Sequence, residues 1–495
     1  MFQMHLIKDE HVEQLAEGCM DVLEKVGALV QNAEMLKLLD DAGAVVDYDA
    51  QRVRFPRKMV ADFCEKLRAE GPYDIAFDLY GDAEGTGGGD AGVSGKRSGM
   101  RPQPRFQPPP MPTLGTQIAQ IYYDYETGQR RQGNRGDLIA LTKLADVLHP
   151  DVPAGHALVQ TEVPAMMEAL ESALVLAEYA HKPGECFAWF VEQVDYLKEM
   201  GEVLGIDDWY TWGSVCIAHP LRFDKAVADK FIRRVREGFP TGLTAMPIAG
   251  FTTPVTAEGF VVVSTAENVA AWLMARVINP DCPLSGSMWA GSVDMATGAI
   301  SFSAFDAMYL AAASVEFQRK WTGINMPIGG GEYCDAKEPG LYAAIEKAYK
   351  SMTIAAFTGQ HPTVGEGLLE CGRTMCPVQL LIDRDMALGV LEFGRGIDPT
   401  PEKIGIEEIL NVDFGMSANH LQSLQTAQFF RESLWLPKVV DRAGWTGAAG
   451  DKQLLDKTQA TMNRMLQEYQ KPKGREDQLA QMRQIVERAR RELLG

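Results

Sequence analysis

A chain of 495 residues, 46% hydrophobic and 23% charged, is long enough for one large domain with extensions or for two to three domains, and can bury a sizeable core. With 67 acidic against 48 basic residues its net charge is −19, which argues against nucleic acid and anionic membrane surfaces as partners. Met1–Glu10 lacks the apolar core of a signal peptide, the apolar window Gly259–Ile278 carries Glu267, Asn268 and Arg276, and the eight cysteines are scattered, so the expectation is a cytoplasmic protein with reduced thiols and no membrane span.

Residues 1–73 read as an N-terminal helical extension. Val12, Leu15, Ala16, Met20, Leu23 and Val26 fall at helical spacing, and Gly27 ends the run. Glu34–Ala42 is a second helix, Val45–Phe55 a small hairpin, and Pro56 opens a third helix reaching Ala69. Residues 74–136 are a Gly/Pro-rich loop and a hairpin. Glycine and proline dominate Asp74–Thr113, which predicts a long loop suited to covering an active site. Gly87, Gly89 and Gly92 satisfy G-x-G-x-x-G, but no helix follows to hold a pyrophosphate, so no dinucleotide site is inferred. Gln117–Tyr125 and Gln129–Gln132 are strands joined at Thr127–Gly128, and Asp137 caps the helix running to Leu148.

Across 137–440 strands alternate with helices. Strands over His156–Gln160, Cys186–Phe190, Gly213–Ala218, Thr241–Pro247, Pro283–Met288 and Ile324–Ile328 precede helices over Ala165–His181, Val191–Leu204, Lys225–Glu237, Ala257–Ile278, Ala304–Trp321 and Leu341–Thr358. Pro362–Gly365 is a short seventh strand, the eighth unit is undefined, and Val378–Leu391 and Pro401–Asn411 are helical. The expected class is α/β: a TIM (β/α)8-type barrel as the catalytic domain, with an N-terminal helical extension and C-terminal helices. In the tail, 441–495, Leu454–Glu468 and Arg475–Leu494 read as a solvated outer layer, with a dimer role as the alternative that leaves a homo-oligomer open.

One stretch concentrates chemistry. In Gly323–Gly340 a short apolar strand breaks into Gly329, Gly330 and Gly331, then into Glu332, Tyr333, Cys334, Asp335 and Lys337, before a helix begins near Leu341. In a β/α barrel that order places the polar cluster at the C-terminal face, where such enzymes react their substrates.

Three segments resemble the trimethylamine methyltransferase family of corrinoid-dependent methyltransferases: Val26–Asp47 with Arg52–Val60, Met246–Asn268, and Asp335–Ala348 (DAKEPGLYAAIEKA). His219–Leu221 (HPL) and Leu380–Met386 (LLIDRDM) stand in the family's order. The resemblance implies a TIM barrel that transfers a methyl group to a corrinoid. The family's methylamine enzymes carry pyrrolysine just before the DAK-like segment, where this chain reads GGGEYC. The branch without pyrrolysine is associated with quaternary amines such as glycine betaine and carnitine. The implied function is transfer of a methyl from a quaternary amine, glycine betaine first, to Co(I) of a separate corrinoid protein, leaving dimethylglycine.

A quaternary ammonium leaves as a neutral tertiary amine, so the chemistry needs position and a dry pocket rather than an acid–base dyad, and no catalytic side chain is assigned. Aromatic faces bind such cations best. Phe187, Trp189, Phe251, Trp289 and Tyr333 lie near expected strand ends. Singly each is explained by ordinary packing; as a set at one barrel face they make a cage. Trp209, Tyr210 and Trp212 precede a strand and belong at the opposite face. His219, Asn325 or Lys337 supplies a donor to a substrate carboxylate, although His219 is as well explained as a core histidine and Lys337 as a partner of Asp335 or Glu338. Glu366 faces the ammonium or else the solvent.

Cys216-x-x-His219 and Cys371-x4-Cys376 lack paired structural-zinc spacing, and no metal is assigned. A zinc-dependent barrel methyltransferase acting on a thiol or alcohol is the rival reading, and a non-catalytic betaine-binding protein the third. No histidine stands in the D-x-H-x-x-G motif of corrinoid-binding domains. The resemblance therefore implies no permanently bound cofactor, and cobalamin presented in trans by a partner protein.

Overall fold

Short parallel backbone contacts organise the middle of the molecule. The computed structural model describes residues 5–71, 73–74, 113–115, 117–212, 215–358, 364–392, 397–412, 419–440, 442 and 450–495. Ala119 bridges Leu158, and Ala154 bridges Pro183. Cys186–Phe187 pairs with Tyr210–Thr211. Thr244 N–H donates to Val215 O at 3.1 Å. Thr244–Ala245 pairs with Ser287–Met288, and Met288 bridges Ile328. All of these pairings but the Thr244–Val215 hydrogen bond, which has no assigned direction, are parallel, as strands joined by helical crossovers must be. Ile324–Asn325 also pairs with Tyr73–Asp74, and Ile121–Tyr122 with Thr374–Met375.

The helices follow in the expected places. Val191–Leu204, Ala257–Ile278 and Leu341–Thr358 occupy the predicted ranges. Gly205, at φ 75°, ends the first of these because only glycine takes that left-handed cap without strain. Helix Ala257–Ile278 is long and apolar enough to cross a membrane, yet 72% of that window is buried inside the molecule. Two of its buried polar side chains find partners: Glu267 meets His219, and the Asn268 amide donates to Ser264 O at 3.1 Å.

The N-terminal helices Asp9–Asp21, Ala33–Asp41 and Arg57–Glu70 pack over Ala257–Ile278 and Phe305–Thr322, so residues 5–71 share that core. In the tail, helix Glu476–Leu494 buries Leu479, Met482, Val486 and Ala489 against Ala165–Tyr179 and Val191–Leu204. That spacing is one apolar helical stripe. The tail is thus an intramolecular clasp rather than a solvated layer.

Local readings needed correction. The helix Arg135–Leu148 is capped by Asn134, with Asp137 returning the bond in a capping box; an aspartate at the third helical position is a partner of the cap, not the cap. The helix expected over Pro401–Asn411 splits into Pro401–Ile404 and Ile406–Val412 at Gly405, φ 61°. A strand begins at Tyr210, so this residue belongs to the strand it was expected to precede. The Gly/Pro-rich loop lies almost wholly outside the described residues, as do Gly213, Pro362 and Thr363.

Candidate active site

The glycine run after Ile328 is shaped by what stands against it. Met288 N–H donates to Pro327 O at 2.9 Å and Gly329 N–H to Met288 O at 3.0 Å, setting Trp289 beside Gly329. A Cβ on Gly329 would lie 2.1 Å from the Trp289 indole, so the ring packs flat on bare backbone. The indole Nε1–H donates to Ser287 Oγ at 2.8 Å, which fixes its rotation. Tyr333 N–H donates to Gly330 O at 3.0 Å and folds the chain back. The rings of Trp289 and Tyr333 then meet at 4.8 Å and 62°. The far side of Tyr333 rests on Gly372, where a Cβ would come within 2.3 Å of Cε1. Burial pushes the Tyr333 phenol well above its ordinary range, and Glu332, Cys216, Cys371 and Glu366 add to that.

The segment from Gly365 to Met375 reaches the same ring through unusual backbone. Gly365, Glu366 and Gly367 have φ of 93°, 88° and 78°; Glu370, Cys371 and Gly372 have 50°, 57° and 86°. For each non-glycine residue the left-handed region costs about 1–2 kcal/mol. Asp383 sits under the first run: it accepts from Gly367 N at 2.8 Å, Lys347 Nζ at 2.6 Å and Gln379 Nε2 at 2.7 Å. Glu366 is 2% exposed.

Further contacts join the neighbouring loops. The Ser301 hydroxyl donates to Asp335, Ser303 Oγ to Tyr333 O at 3.1 Å, and Tyr349 OH to Ser303 O at 2.6 Å. Cys371 Sγ lies 3.1 Å from Asp335 Oδ1. Lys350 donates to Phe302 O and its Nζ lies under Gly330. Burial raises Glu332 to about 7 and lowers Lys350 to about 8, against their mutual attraction.

A second aromatic pair is built around Glu168. Trp189 Nε1–H donates to Glu168 Oε2 at 2.6 Å, while Oε1 meets His156 Nε2 at 3.1 Å, Gln160 N at 3.0 Å and Ser172 Oγ at 2.9 Å. Burial alone would lower His156, but Glu168 and Cys186 beside it hold it up at about 10; burial would raise Glu168, but His156 and the hydrogen bonds hold it down at about 2. Trp189 leans on Phe187 at 4.4 Å, and Lys230 Nζ stands 4.4 Å over the Phe187 ring. That face already carries a cation of the chain's own.

The family profile of trimethylamine methyltransferase (MTTB) matches residues 1–71 and 116–494. The chain belongs to this family. Among relatives, the trimethylamine methyltransferase MttB of Desulfitobacterium hafniense is 22% identical over 97% of this chain and 92% of its own length. The L-carnitine:corrinoid methyltransferase of Eubacterium limosum is 23% identical over 94% and 93%. The trimethylamine methyltransferase MttB2 of Methanosarcina mazei is 27% identical over 56% of this chain and 55% of its own, so that match spans about half of either protein.

In this member of the trimethylamine methyltransferase family, the residues singled out from sequence fall into separate places. Trp289 and Tyr333 come together, and the Glu366 charge acts on the Tyr333 phenol. Phe187 and Trp189 form their own pair, and no close ring contact joins them to Trp289 or Tyr333 among the described residues. Phe251 is 73% exposed on the turn after Ile248–Ala249. Asn325 ends the two-residue strand Ile324–Asn325, which pairs with Tyr73–Asp74 and precedes the glycine turn by several residues. His219 is held from both sides: Met246 N–H donates to Nε2 at 3.0 Å, so Nδ1–H donates to Glu267 at 2.9 Å. Both ring nitrogens are therefore held by the protein itself. Among the described residues no three His, Cys, Asp or Glu side chains converge as a metal site requires. Glu168, Asp383 and Gly372 escaped sequence reasoning. Glu168 sits in an apolar helix with no motif around it, and Asp383 stands within LLIDRDM, a pattern that assigns it no role.

Proposed function

We propose that this protein transfers a methyl group from a quaternary amine to Co(I) of a corrinoid carried by a separate protein, with glycine betaine as the first substrate to test. The observation that carries the reading is the Trp289–Tyr333 corner, to which the buried Glu366 adds a negative charge felt by the Tyr333 phenol. Two aromatic faces and a carboxylate favour a cation that cannot donate hydrogen bonds. Membership in the family and the likeness to the L-carnitine:corrinoid methyltransferase of Eubacterium limosum support the reaction class. The corrinoid enters as the methyl acceptor and supplies a low-valent metal nucleophile. The chain's own residues bind the ammonium, orient one methyl outward and keep water from the pocket. No group has to protonate the leaving nitrogen for the C–N bond to break.

The parallel contacts from Ala119 through Ile328, each followed by a helix, support a β/α barrel with this corner at its C-terminal face. In the deciding assay, the protein is mixed with a reduced corrinoid protein and a panel of glycine betaine, carnitine and choline. Growth of the methyl-Co(III) absorbance with one of them, together with its demethylated amine, is expected. Binding without demethylation would instead favour a betaine-binding protein, and neither outcome with any quaternary amine overturns the reading.

A further inference from the structure

Glu366 stands where a side chain is costly to hold. It lies between two glycines, all three residues have positive φ, and the carboxylate is buried. Such a conformation persists only where surrounding structure over-determines it. The side chain of Asp383 lies against this turn. A Cβ on Gly365 would fall 2.1 Å from Asp383 Cβ, so the turn lies directly on that side chain. Asp383 Oδ2 accepts the N–H of Gly367, and Oδ1 is held by Gln379, whose own Oε1 takes Gly340 N–H at 2.8 Å. The Asp383 charge is kept in place by Lys347, and both side chains are 0% exposed. Burial works against the Lys347 charge, and Asp383 more than offsets it. A fully buried ion pair is a poor source of stability compared with apolar residues of the same size. Its presence here calls for a different reason.

We propose that Asp383, braced by Lys347 and Gln379, is a positioning residue for Glu366: it pins the Gly365–Gly367 turn so that the Glu366 carboxylate faces a bound ammonium, and so sets the preference for a cationic over an isosteric neutral group. This rests on the quaternary amine reading above. Asp383 does not touch the substrate, and acts through Gly367 N.

The test compares glycine betaine with 3,3-dimethylbutyrate, its carbon isostere, by calorimetric titration. The unmodified protein prefers betaine, and Glu366→Gln sets the level without the carboxylate. The double variant Lys347→Met, Asp383→Asn removes both charges but keeps an acceptor for Gly367 N; its betaine preference stays within about threefold of the original, since the loss falls on one of several hydrogen bonds. Lys347→Met, Asp383→Leu removes the acceptor, and the preference falls to the Glu366→Gln level. Thermal unfolding reports folding of each variant, and Gln379→Leu, which loosens Asp383 without touching the ion pair, gives a partial fall if the leucine variant does not fold. Equal binding of both ligands by the unmodified protein overturns the ammonium site itself. A preference that survives in the leucine variant, or in Gln379→Leu when that is the one that folds, overturns the role of Asp383 alone.

Discussion

Gly329→Ala tests the site at its tightest point. The added methyl would stand 2.1 Å from Trp289 Cε2 and Nε1, well inside contact distance, so the indole must leave its seat. Three costs follow. Forcing a methyl into packed space is worth about 1–3 kcal/mol. Displacing the indole loses the hydrogen bond to Ser287, about 1 kcal/mol net, and the ring contact with Tyr333, about 0.5–1.5 kcal/mol. Together they come to roughly 2.5–5.5 kcal/mol of stability. If Trp289 is a wall of the ammonium site, affinity for glycine betaine falls about tenfold or more, from a cation–π contribution of up to about 2 kcal/mol. Denaturant unfolding and calorimetric titration read the two effects separately. Adding Trp289→Leu to Gly329→Ala relieves the clash, so the double variant recovers stability without recovering affinity. An unchanged unfolding midpoint and unchanged affinity in Gly329→Ala would refute both the packing argument and the place of Trp289 in the site.

Tyr333→Phe keeps the ring face and retains affinity within about threefold, whereas Tyr333→Ala loses roughly 3–30-fold on titration with betaine. Gly372→Ala weakens binding as Tyr333→Ala does, because its Cβ occupies the ring's seat at a backbone φ of 86°. The raised His156 pKa has a stability consequence. The stabilisation it brings is complete below the ordinary histidine value of 6.5 and is lost as pH rises through about 10. Unfolding free energy therefore declines between those limits, and His156→Gln removes that part of the slope; an identical slope in the variant contradicts the pairing with Glu168. Phe251→Ala, on an exposed turn, changes stability by less than about 0.5 kcal/mol and leaves betaine affinity unchanged; a large affinity loss would bring Phe251 into the cage.

Long amphipathic or apolar periods were readable, which is why Val191–Leu204 and Ala257–Ile278 occupy the ranges their spacing predicts. Ladders were not, because an apolar run of five residues such as Ile324–Ile328 looks like a strand whether two of its residues or all five pair. The alternation around Tyr210 was split by its two tryptophans, and a paired strand was taken for a lead-in. At the site, sequence reasoning reached the aromatic residue types through the chemistry of the ligand, but not their grouping. Trp289 is tied to Tyr333 by a glycine far away in sequence that gives up its side-chain space. Glu168 and His219 illustrate the converse: whether a buried polar residue serves a ligand or its neighbours is decided by partners that no local pattern names.

The loops at this face are stitched to one another through Ser301, Ser303, Asp335, Tyr349 and Cys371. If the Trp289–Tyr333 corner binds the amine, its specificity is consequently a property of an ensemble of segments, inherited as a block. Transplanting the Gly329–Cys334 segment alone from a relative would import a tyrosine or its replacement without the serine and glycine partners that seat it. Redesign toward another amine has to exchange the 291–303, 329–337 and 365–375 segments together.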